Sequence, residues 1–260
     1  MIIARTIHEV REHISIWRRE GLSVGLVPTM GYLHEGHASL VDRVVVSDFV
    51  NPTQFAPNED LESYPRDFEH DCKLLEEHGC DLVFYPSVEE MYSPNAATYV
   101  EILDEMPKQL CGKTRPIHFR GVCTIVSKLF NIVQPDKAFF GQKDAQQLAV
   151  IRKMVLDLSY GIEIIGCPIV RESDGLAKSS RNTYLSNEER KAALVLSKAV
   201  FRGEEMVSAG INDANRIIDE MKNIISAQPL AKIDYISVVD GKTMMPVDEI
   251  KDGVLVAMAV

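Results

Sequence analysis

Two histidines three residues apart, His34 and His37, follow a glycine turn near the start of the chain. An apolar run at 24–27 precedes them, and a proline and a glycine interrupt it, so the pattern predicts a strand, a turn and a helix start. A helix N-terminus attracts anions because its first backbone N–H groups have no intrahelical partner and the helix dipole is positive there. At spacing i, i+3 both imidazoles lie on one side of the first turn. The stretch Met30–His37 is therefore a candidate phosphate-binding site.

Two other interpretations of the histidine pair remain open on these residues alone. Both rings can be solvated or hydrogen-bonded loop residues, as is common for an arbitrary H-x-x-H. They can also be zinc ligands, although two ligands do not complete the tetrahedral set that zinc usually takes. Information from the other polar segments of the chain is needed to distinguish these interpretations.

Three further polar segments follow predicted strands or join predicted domains: Asn51–Gln54, Gly141–Gln147 and Lys178–Arg181. Loops at the carboxyl ends of parallel strands, and junctions between domains, are where ligands usually bind. Taken singly, these lysines, serines, amides and the arginine are ordinary surface residues. Together with the two imidazoles they suit a triphosphate and a polar substrate.

The bulk composition narrows the class of protein. The chain has 260 residues, 46% of them hydrophobic, so it can bury a substantial core. A formal charge of −10 argues against a surface dedicated to nucleic acid. Neither a membrane-spanning apolar run nor a signal-peptide pattern is present, and the five cysteines form no C-x-x-C pair. We expect a cytoplasmic protein with reduced thiols, no membrane partner and no nucleic-acid partner.

The elements that must position the polar segments alternate between helix and strand. Hydrophobic periodicity predicts helices over 6–20, 65–78, 118–133 and 145–158, and strands over 23–27, 44–50, 81–85, 98–102, 138–140 and 162–165. Such alternation predicts the α/β class, with a Rossmann-like doubly wound parallel sheet.

The pattern changes after Pro168, where a polar loop leads to a smaller α+β unit. Its predicted elements are helices over 187–209 and 213–226 and strands over 233–239 and 254–260. We therefore expect a Rossmann-like domain over residues 1–170 and a smaller C-terminal α+β domain over residues 171–260.

One junction breaks the ordinary rules of chain connection. The helix-like residues 38–43 run directly into the strand-like residues 44–50, whereas a helix-to-strand connection normally takes about 2–6 residues with turn chemistry. We predict that residues are absent between Arg43 and Val44. Asp48, inside the apolar strand, is a second local inconsistency.

Five separated strings resemble the pantothenate synthetase family, and they occur in order over nearly the whole chain. They are PTMG with HEGH at 28–37, FVNPTQF at 49–55, YPRD at 64–67, FFGQKD with QQL at 139–148, and DGLA with SSRN at 174–182. The resemblance implies an ATP-dependent, AMP-forming ligase of the HxGH nucleotidyltransferase superfamily, which condenses pantoate with β-alanine through a pantoyl adenylate. It also implies Mg²⁺ with ATP as substrate, no dedicated protein metal ligands, and a homodimer. By this resemblance the domain over 1–170 would bind ATP and pantoate, and the domain over 171–260 would form a lid over the site.

The resemblance assigns roles to individual positions. His34 and His37 would contact phosphate, His37 as the proton donor, and Lys143 would be a further catalytic phosphate contact. Gln54 and Gln147, with Asn51, would bind pantoate and β-alanine. The residues assigned to ATP are Met30, Gly31, Tyr32, Leu33, His34, Glu35, Gly36, His37, Gly141, Gln142, Lys143, Asp144, Val170, Lys178, Ser179, Ser180 and Arg181.

Some features of the chain depart from the family pattern. Lys178 stands where the family usually has methionine or leucine, so it either adds a phosphate contact or points to solvent. The family also generally continues past Val260 with another strand segment.

The HxGH group includes cytidylyltransferases and class I aminoacyl-tRNA synthetases, but the latter need a tRNA-binding domain that neither the length nor the charge supports. A non-catalytic ATP-binding protein is the alternative if the shortening after Arg43 is a real deletion.

Overall fold

A six-stranded parallel sheet forms the centre of the first of two compact units in the computed structural model, which describes residues 1–31 and 41–260. The strands are β1 (Ile2–Ala4), β2 (Val24–Thr29), β3 (Arg43–Asp48), β4 (Leu82–Phe84), β5 (Lys137–Gly141) and β6 (Glu163–Cys167). They lie side by side in the order β1-β4-β3-β2-β5-β6, and every pairing is parallel. The predicted doubly wound α/β class is confirmed.

The helices between these strands begin and end where local sequence signals indicate. A capping box of Thr6 and Glu9 starts the first helix, and Asp67 caps the second by accepting from the backbone N–H of His70. Gly79, with φ of +77°, follows the end of the second helix, where a residue without a Cβ meets no steric penalty. These helices are α1 (Ile7–Arg19), α2 (Phe68–Glu77), α3 (Val88–Met91), α4 (Leu110–Thr114), α5 (His118–Val133) and α6 (Ala145–Asp157).

Helix α5 is the buried helix of the first unit. All but three of its sixteen residues are buried, and it contacts α1, α6 and β2. It also packs on the short 3-10 helix Pro52–Gln54 that follows β3. Gly121 permits this approach, because a Cβ there would lie 2.5 Å from the carbonyl oxygen of Thr53.

The strand order gathers the predicted loops at one edge of the sheet. The chain passes from β2 to β3 and β4 on one side, and later returns to β5 on the other side of β2. The switch point of the sheet therefore lies between β2 and β5, and open α/β sheets bind ligands at the carboxyl ends of the strands there. The segments that begin at Met30, Asn51 and Gly141 all follow carboxyl ends of strands.

Two local predictions were wrong. Residues 98–102 form no strand, because the backbone N–H of Val100 bonds to Oγ1 of Thr124 on α5 instead of to a neighbouring strand. Arg43, predicted to be helical, is the first residue of β3, and its N–H donates to the carbonyl of Ser23. The chain enters β3 from Asp42, whose carboxylate accepts from the backbone N–H and the hydroxyl of Ser23.

The second compact unit comprises Leu103–Pro116 and Ile169–Val260. It contains α4, α7 (Asn187–Ser208), α8 (Ala214–Ser226), and the antiparallel strands β7 (Tyr235–Asp240) and β8 (Val254–Ala259). Buried Ile217, Met221 and Ile225 of α8 are part of its core. The segment 103–116 belongs to this unit, since Thr114 donates to Asp234 and the Cys111 thiol lies 3.0 Å from the Tyr235 hydroxyl. The predicted division at residue 170 had placed residues 103–116 in the first domain, whereas the structure places them in the second unit.

Across the described ranges 1–31 and 41–260, no helix has both the length and the apolar character needed to cross a bilayer.

Gly121→Ala tests the close approach of α5 to Pro52–Gln54. Alanine normally stabilises a helix interior by about 1 kcal/mol relative to glycine. Here the new Cβ would meet backbone atoms of Thr53 and Gln54 at 2.5–2.6 Å, so we expect the free energy of unfolding in urea to fall by about 1–3 kcal/mol. Gly161→Ala is the matched control, because nothing lies within 4 Å of its Cβ position. Equal urea midpoints for the two variants would contradict the packing argument.

Candidate active site

The carboxyl end of β2 leads into a turn that Thr29 and Gly31 shape. The Thr29 hydroxyl accepts from the N–H of Gly31 at 2.9 Å and lies 3.0 Å from its carbonyl oxygen. Gly31 has φ of +100°, a conformation that residues with a side chain rarely adopt. The predicted ATP residues Met30 and Gly31 are thus at this turn. The others of that stretch, Tyr32, Leu33, His34, Glu35, Gly36 and His37, lie outside the described residues.

Asn51 and Gln54 form a buried pair of amides after β3. Their exposed fractions are 1% and 5%. Asn51 Nδ2 donates to Gln54 Oε1 at 3.1 Å and to the carbonyl of Gly121 at 3.2 Å. Gln54 Nε2 in turn lies 3.1 Å from Sδ of Met30. The structure therefore brings together three of the predicted site residues: Met30, Asn51 and Gln54.

Helix α5 holds the backbone of Gln54 as well as the side chain of Asn51. Nδ1 of buried His118 lies 3.1 Å from the Gln54 carbonyl oxygen. A carbonyl only accepts hydrogen bonds, so Nδ1 must carry the proton in this contact. His118 is thus engaged in holding the loop.

The third polar segment begins at the end of β5. Gly141 ends that strand, and Gln142, Lys143 and Asp144 form a 3-10 turn that leads into α6. Lys143 Nζ lies 3.6 Å from Asp144 Oδ1, and both side chains are substantially exposed. Gln147 is half-buried in the first turn of α6. Lys143 is therefore available to solvent at the carboxyl edge of the sheet.

In the second unit, a hairpin-like turn brings Val170 beside Lys178. The N–H of Lys178 donates to the carbonyl of Val170 at 2.9 Å, and Gly175, with φ of +97°, makes the turn. The hydroxyl of Ser179 then accepts from the N–H of Arg181 at the start of the 3-10 helix Ser180–Tyr184. The predicted adenine contact and the predicted phosphate segment thus adjoin within this unit.

Two buried carboxylates lie beside the Gly31 turn, and sequence analysis gave neither a role. A Cβ built on Gly31 would be 3.2 Å from Asp71 Oδ2 and 3.9 Å from Asp48 Oδ1. Both aspartates line a cavity of about 320 Å³, together with Met30 and Arg66. Burial raises the pKa of Asp48 to about 6, and the charge of Asp71 adds to the rise. Burial and these two carboxylates also raise the pKa of the Cys72 thiol.

Other residues that support the amide pair, namely Tyr92, His118 and Gly121, were not among the predicted site residues. A glycine inside the apolar pattern of α5 was a usable signal for a close backbone approach. The polar Asp48 in an apolar strand was noticed as an inconsistency but not connected with Asp71. Nothing local to the sequence around Tyr92 indicates that its hydroxyl reaches Asn51.

Known proteins resemble this chain over almost its whole length. A family model described as pantoate-beta-alanine ligase matches residues 2–260. Pantothenate synthetase of Ruminiclostridium cellulolyticum is 58% identical over 98% of this chain and 92% of its own length. The enzyme of Enterococcus faecalis is 54% identical over 100% of this chain and 94% of its own length. That alignment runs over 267 positions against 260 residues here, so at least seven residues of the relative have no counterpart.

Solved structures agree with the sequence comparison. Pantothenate synthetase from Thermus thermophilus superposes with a TM-score of 0.92 and 44% identity, covering 100% of this chain and 95% of its own. Pantoate-beta-alanine ligase from Francisella tularensis, solved with Beta-gamma ATP and beta-alanine, gives 0.75 and 36%, covering 91% and 89%.

Asp48→Asn tests the buried carboxyl through the pH dependence of stability. Because the pKa is about 6 when folded and about 4 when unfolded, the folded state binds the proton more tightly. The contribution of Asp48 to the free energy of unfolding of the wild type should therefore fall as the pH rises from about 4 to 6 and then level off. The variant lacks this contribution, so its stability relative to the wild type should rise over that range by up to about 3 kcal/mol.

The measurement is urea unfolding at a series of pH values between 4 and 7, in the absence of divalent metal. Comparing the difference between the proteins at the two ends of the series cancels any effect of the substitution that does not depend on pH. Asp252→Asn, at an exposed carboxyl, is the control. Parallel stability curves for wild type and Asp48→Asn would contradict the raised pKa.

Proposed function

Because the chain belongs to the pantoate–β-alanine ligase family, we propose that it forms pantothenate in two steps through a pantoyl adenylate. ATP and β-alanine are substrates of this family, and pantoate is the acid that we propose it activates. The observation that supports the proposal most directly is the buried Asn51–Gln54 pair beside Met30, at the carboxyl edge of the sheet.

In the first proposed step, a carboxylate oxygen of pantoate attacks the α-phosphorus of ATP. The new P–O bond gives the mixed anhydride, and the bond to the leaving pyrophosphate breaks with its electron pair. Positioning and charge stabilisation dominate such a displacement, so no protein nucleophile is required. Lys143 supplies positive charge at the phosphates, and the family resemblance gives the same task to His34, His37, Ser179, Ser180 and Arg181.

In the second proposed step, the amine of β-alanine attacks the acyl carbon of the adenylate. The C–O bond to AMP breaks, AMP leaves with the electron pair, and the amine loses a proton as the amide forms. The adenylate is also open to water. The enclosure of Asn51 and Gln54, which are 1% and 5% exposed, supports a pantoate site with little competing solvent.

Gln54 suits a ligand that presents an oxygen atom. Its Oε1 accepts from Asn51, so the Nε2 donors on the Met30 side are the groups that would face a ligand. Pantoate carries hydroxyl and carboxylate oxygens, all of which accept hydrogen bonds. Gln147, half-buried on α6, is the second amide that we assign to pantoate.

We further propose that ATP acts with Mg²⁺ and that the enzyme is a homodimer, as the family resemblance implies. Among the described residues, no group of three or more histidine, cysteine or acidic side chains forms a metal cage. Asp48 and Asp71 are hard oxygen donors beside Gly31, and one or two carboxylates with nucleotide phosphates suffice for Mg²⁺. The donor set therefore fits a metal that arrives with ATP and neutralises phosphate charge.

An AMP-release assay with each substrate omitted in turn tests this function. The wild type should form AMP repeatedly only when ATP, pantoate and β-alanine are all present. Gln54→Ala should raise the KM for pantoate about tenfold and leave that for ATP nearly unchanged, because it removes a buried polar partner of pantoate and none of ATP. Lys143→Ala should slow adenylate formation in a single turnover by about 10²-fold or more.

Lys153→Ala is the matched control for Lys143→Ala, since Lys153 lies on α6 and pairs with Asp157. It should retain the wild-type single-turnover rate.

Absence of AMP with all three substrates would refute the ligase function for this chain. Equal weakening of ATP and pantoate by Gln54→Ala would refute the pantoate assignment of that residue.

A further inference from the structure

The hydroxyl of Tyr92 reaches the buried amide pair from the end of α3. Tyr92 is the C-cap of that short helix, and its hydroxyl donates to Asn51 Oδ1 at 2.8 Å. Thr53 Oγ1 donates to the same oxygen at 3.0 Å and lies 3.3 Å from the Tyr92 hydroxyl. Two side chains, from two segments of the chain, thus converge on one amide oxygen.

The orientation of the Asn51 amide follows from partners that can act in only one sense. The backbone N–H of Thr53 can only donate, and it lies 3.4 Å from Oδ1. The carbonyl of Gly121 can only accept, and it lies 3.2 Å from Nδ2. A flipped amide would place like groups against each other at both ends. The oxygen therefore faces Thr53 and Tyr92, and the nitrogen faces Gly121 and Gln54.

The orientation of the Asn51 amide determines that of the Gln54 amide. Since Asn51 Nδ2 is a donor, the atom of Gln54 that it meets must be the acceptor Oε1. The amide nitrogen of Gln54 is consequently turned toward Met30. The sense of the Gln54 amide, and hence the kind of ligand atom it recognises, is set by Asn51.

The surroundings of Tyr92 keep its hydroxyl in place as a neutral donor. Its ring packs against Phe49, with ring centroids 6.5 Å apart, and Lys128 Nζ lies 5.4 Å from the ring centre. Burial raises the pKa of the Tyr92 phenol, so the hydroxyl keeps its proton at neutral pH. The ring position and the retained proton together favour a persistent bond to Asn51.

We propose that Tyr92 is a positioning residue for substrate binding, which acts through Asn51 to hold the Gln54 amide with its N–H groups toward the ligand. The proposal rests on the proposed role of Gln54 in binding pantoate. Tyr92 itself contacts none of the three substrates in this scheme. Its contribution is to reduce the number of orientations that the two amides sample before pantoate arrives, which lowers the cost of binding.

Tyr92→Phe is the direct test, because it removes one hydroxyl and keeps the ring packing. We expect the KM for pantoate to rise about 3- to 10-fold, a loss typical of one hydrogen bond. The KM for ATP, the kcat and the thermal midpoint should stay within twofold or about 2 °C of the wild type, as a small effect on a domain this size allows. Tyr99→Phe is the matched control, since the Tyr99 side chain is 52% exposed, and it should change none of these quantities.

A double-mutant comparison shows whether Tyr92 acts through Asn51. In an Asn51→Ala background, or Asn51→Ser if the alanine variant does not fold, Tyr92→Phe should produce no further change in the KM for pantoate. A full and independent effect of Tyr92→Phe in that background would overturn the proposal. So would an unchanged KM for pantoate in the single variant, or a parallel loss of ATP binding and thermal stability, which indicates general disruption of the fold.

A measurement without substrates separates this inference from the proposed function. In ¹⁵N NMR spectra, the Gln54 side-chain amide, assigned by its loss in Gln54→Ala, should give two well-separated proton signals in the wild type. They should move toward each other or broaden in Tyr92→Phe and not in Tyr99→Phe. If the wild type makes no pantoate-dependent AMP, the proposed function fails while this result still decides the role of Tyr92. Identical Gln54 signals in wild type and Tyr92→Phe would overturn the inference.

Discussion

The hydrogen bonds of Asn51 are the constraint on which the described part of the candidate site depends. One amide nitrogen joins the Gly121 carbonyl of a buried helix to the side chain of Gln54, and its oxygen collects donors from Thr53 and Tyr92. These bonds are possible only because α5 approaches the loop after β3 closely enough for backbone to meet backbone at Gly121. Burial then makes the arrangement strict, since an unpaired amide group there would cost about 1–3 kcal/mol.

Charge is the second constraint on this edge of the sheet. Asp48 and Asp71 lie beside the Gly31 turn, where the family resemblance expects a triphosphate. Two buried carboxylates oppose an anion, so a proton, a metal ion or nearby cationic groups must offset them. Burial, together with the charge of Asp71, raises the pKa of Asp48 to about 6, so this carboxyl takes up a proton more readily than an exposed one. Exposed Lys143 and the proposed Mg²⁺ are the positive groups that our scheme provides.

The sequence predicted the fold wherever the local pattern and the packing agree. The bounds of α5 matched because its apolar face is continuous from His118 and Pro135 follows its end. The strand predicted over residues 98–102 does not form, because the backbone N–H of Val100 bonds to the side chain of Thr124. Thr124 is distant in sequence, and no alternation of apolar residues indicates this contact. The excursion of 103–116 into the second unit likewise depends on contacts such as Thr114 with Asp234.

For the candidate site, the sequence indicated several residues that lie together and few of the contacts that hold them. Motif resemblance selected Met30, Asn51 and Gln54, and the structure brings them together. It did not select Tyr92 or His118, because their roles arise from hydrogen bonds across 41 and 64 positions of the chain. Assignments to Gly141, Val170 and Lys178–Arg181 stay predictions, since contact with a ligand is a property of the bound state.

The fate of isotopic oxygen tests the central claim, activation of a carboxylate as its adenylate, most directly. Pantoate labelled with ¹⁸O in its carboxylate is turned over with ATP and β-alanine, and the products are analysed by mass spectrometry. Attack at the α-phosphorus predicts one ¹⁸O atom in each AMP and one fewer in the amide product than in the starting acid. Unlabelled AMP, or label in inorganic phosphate with release of ADP, would contradict the account.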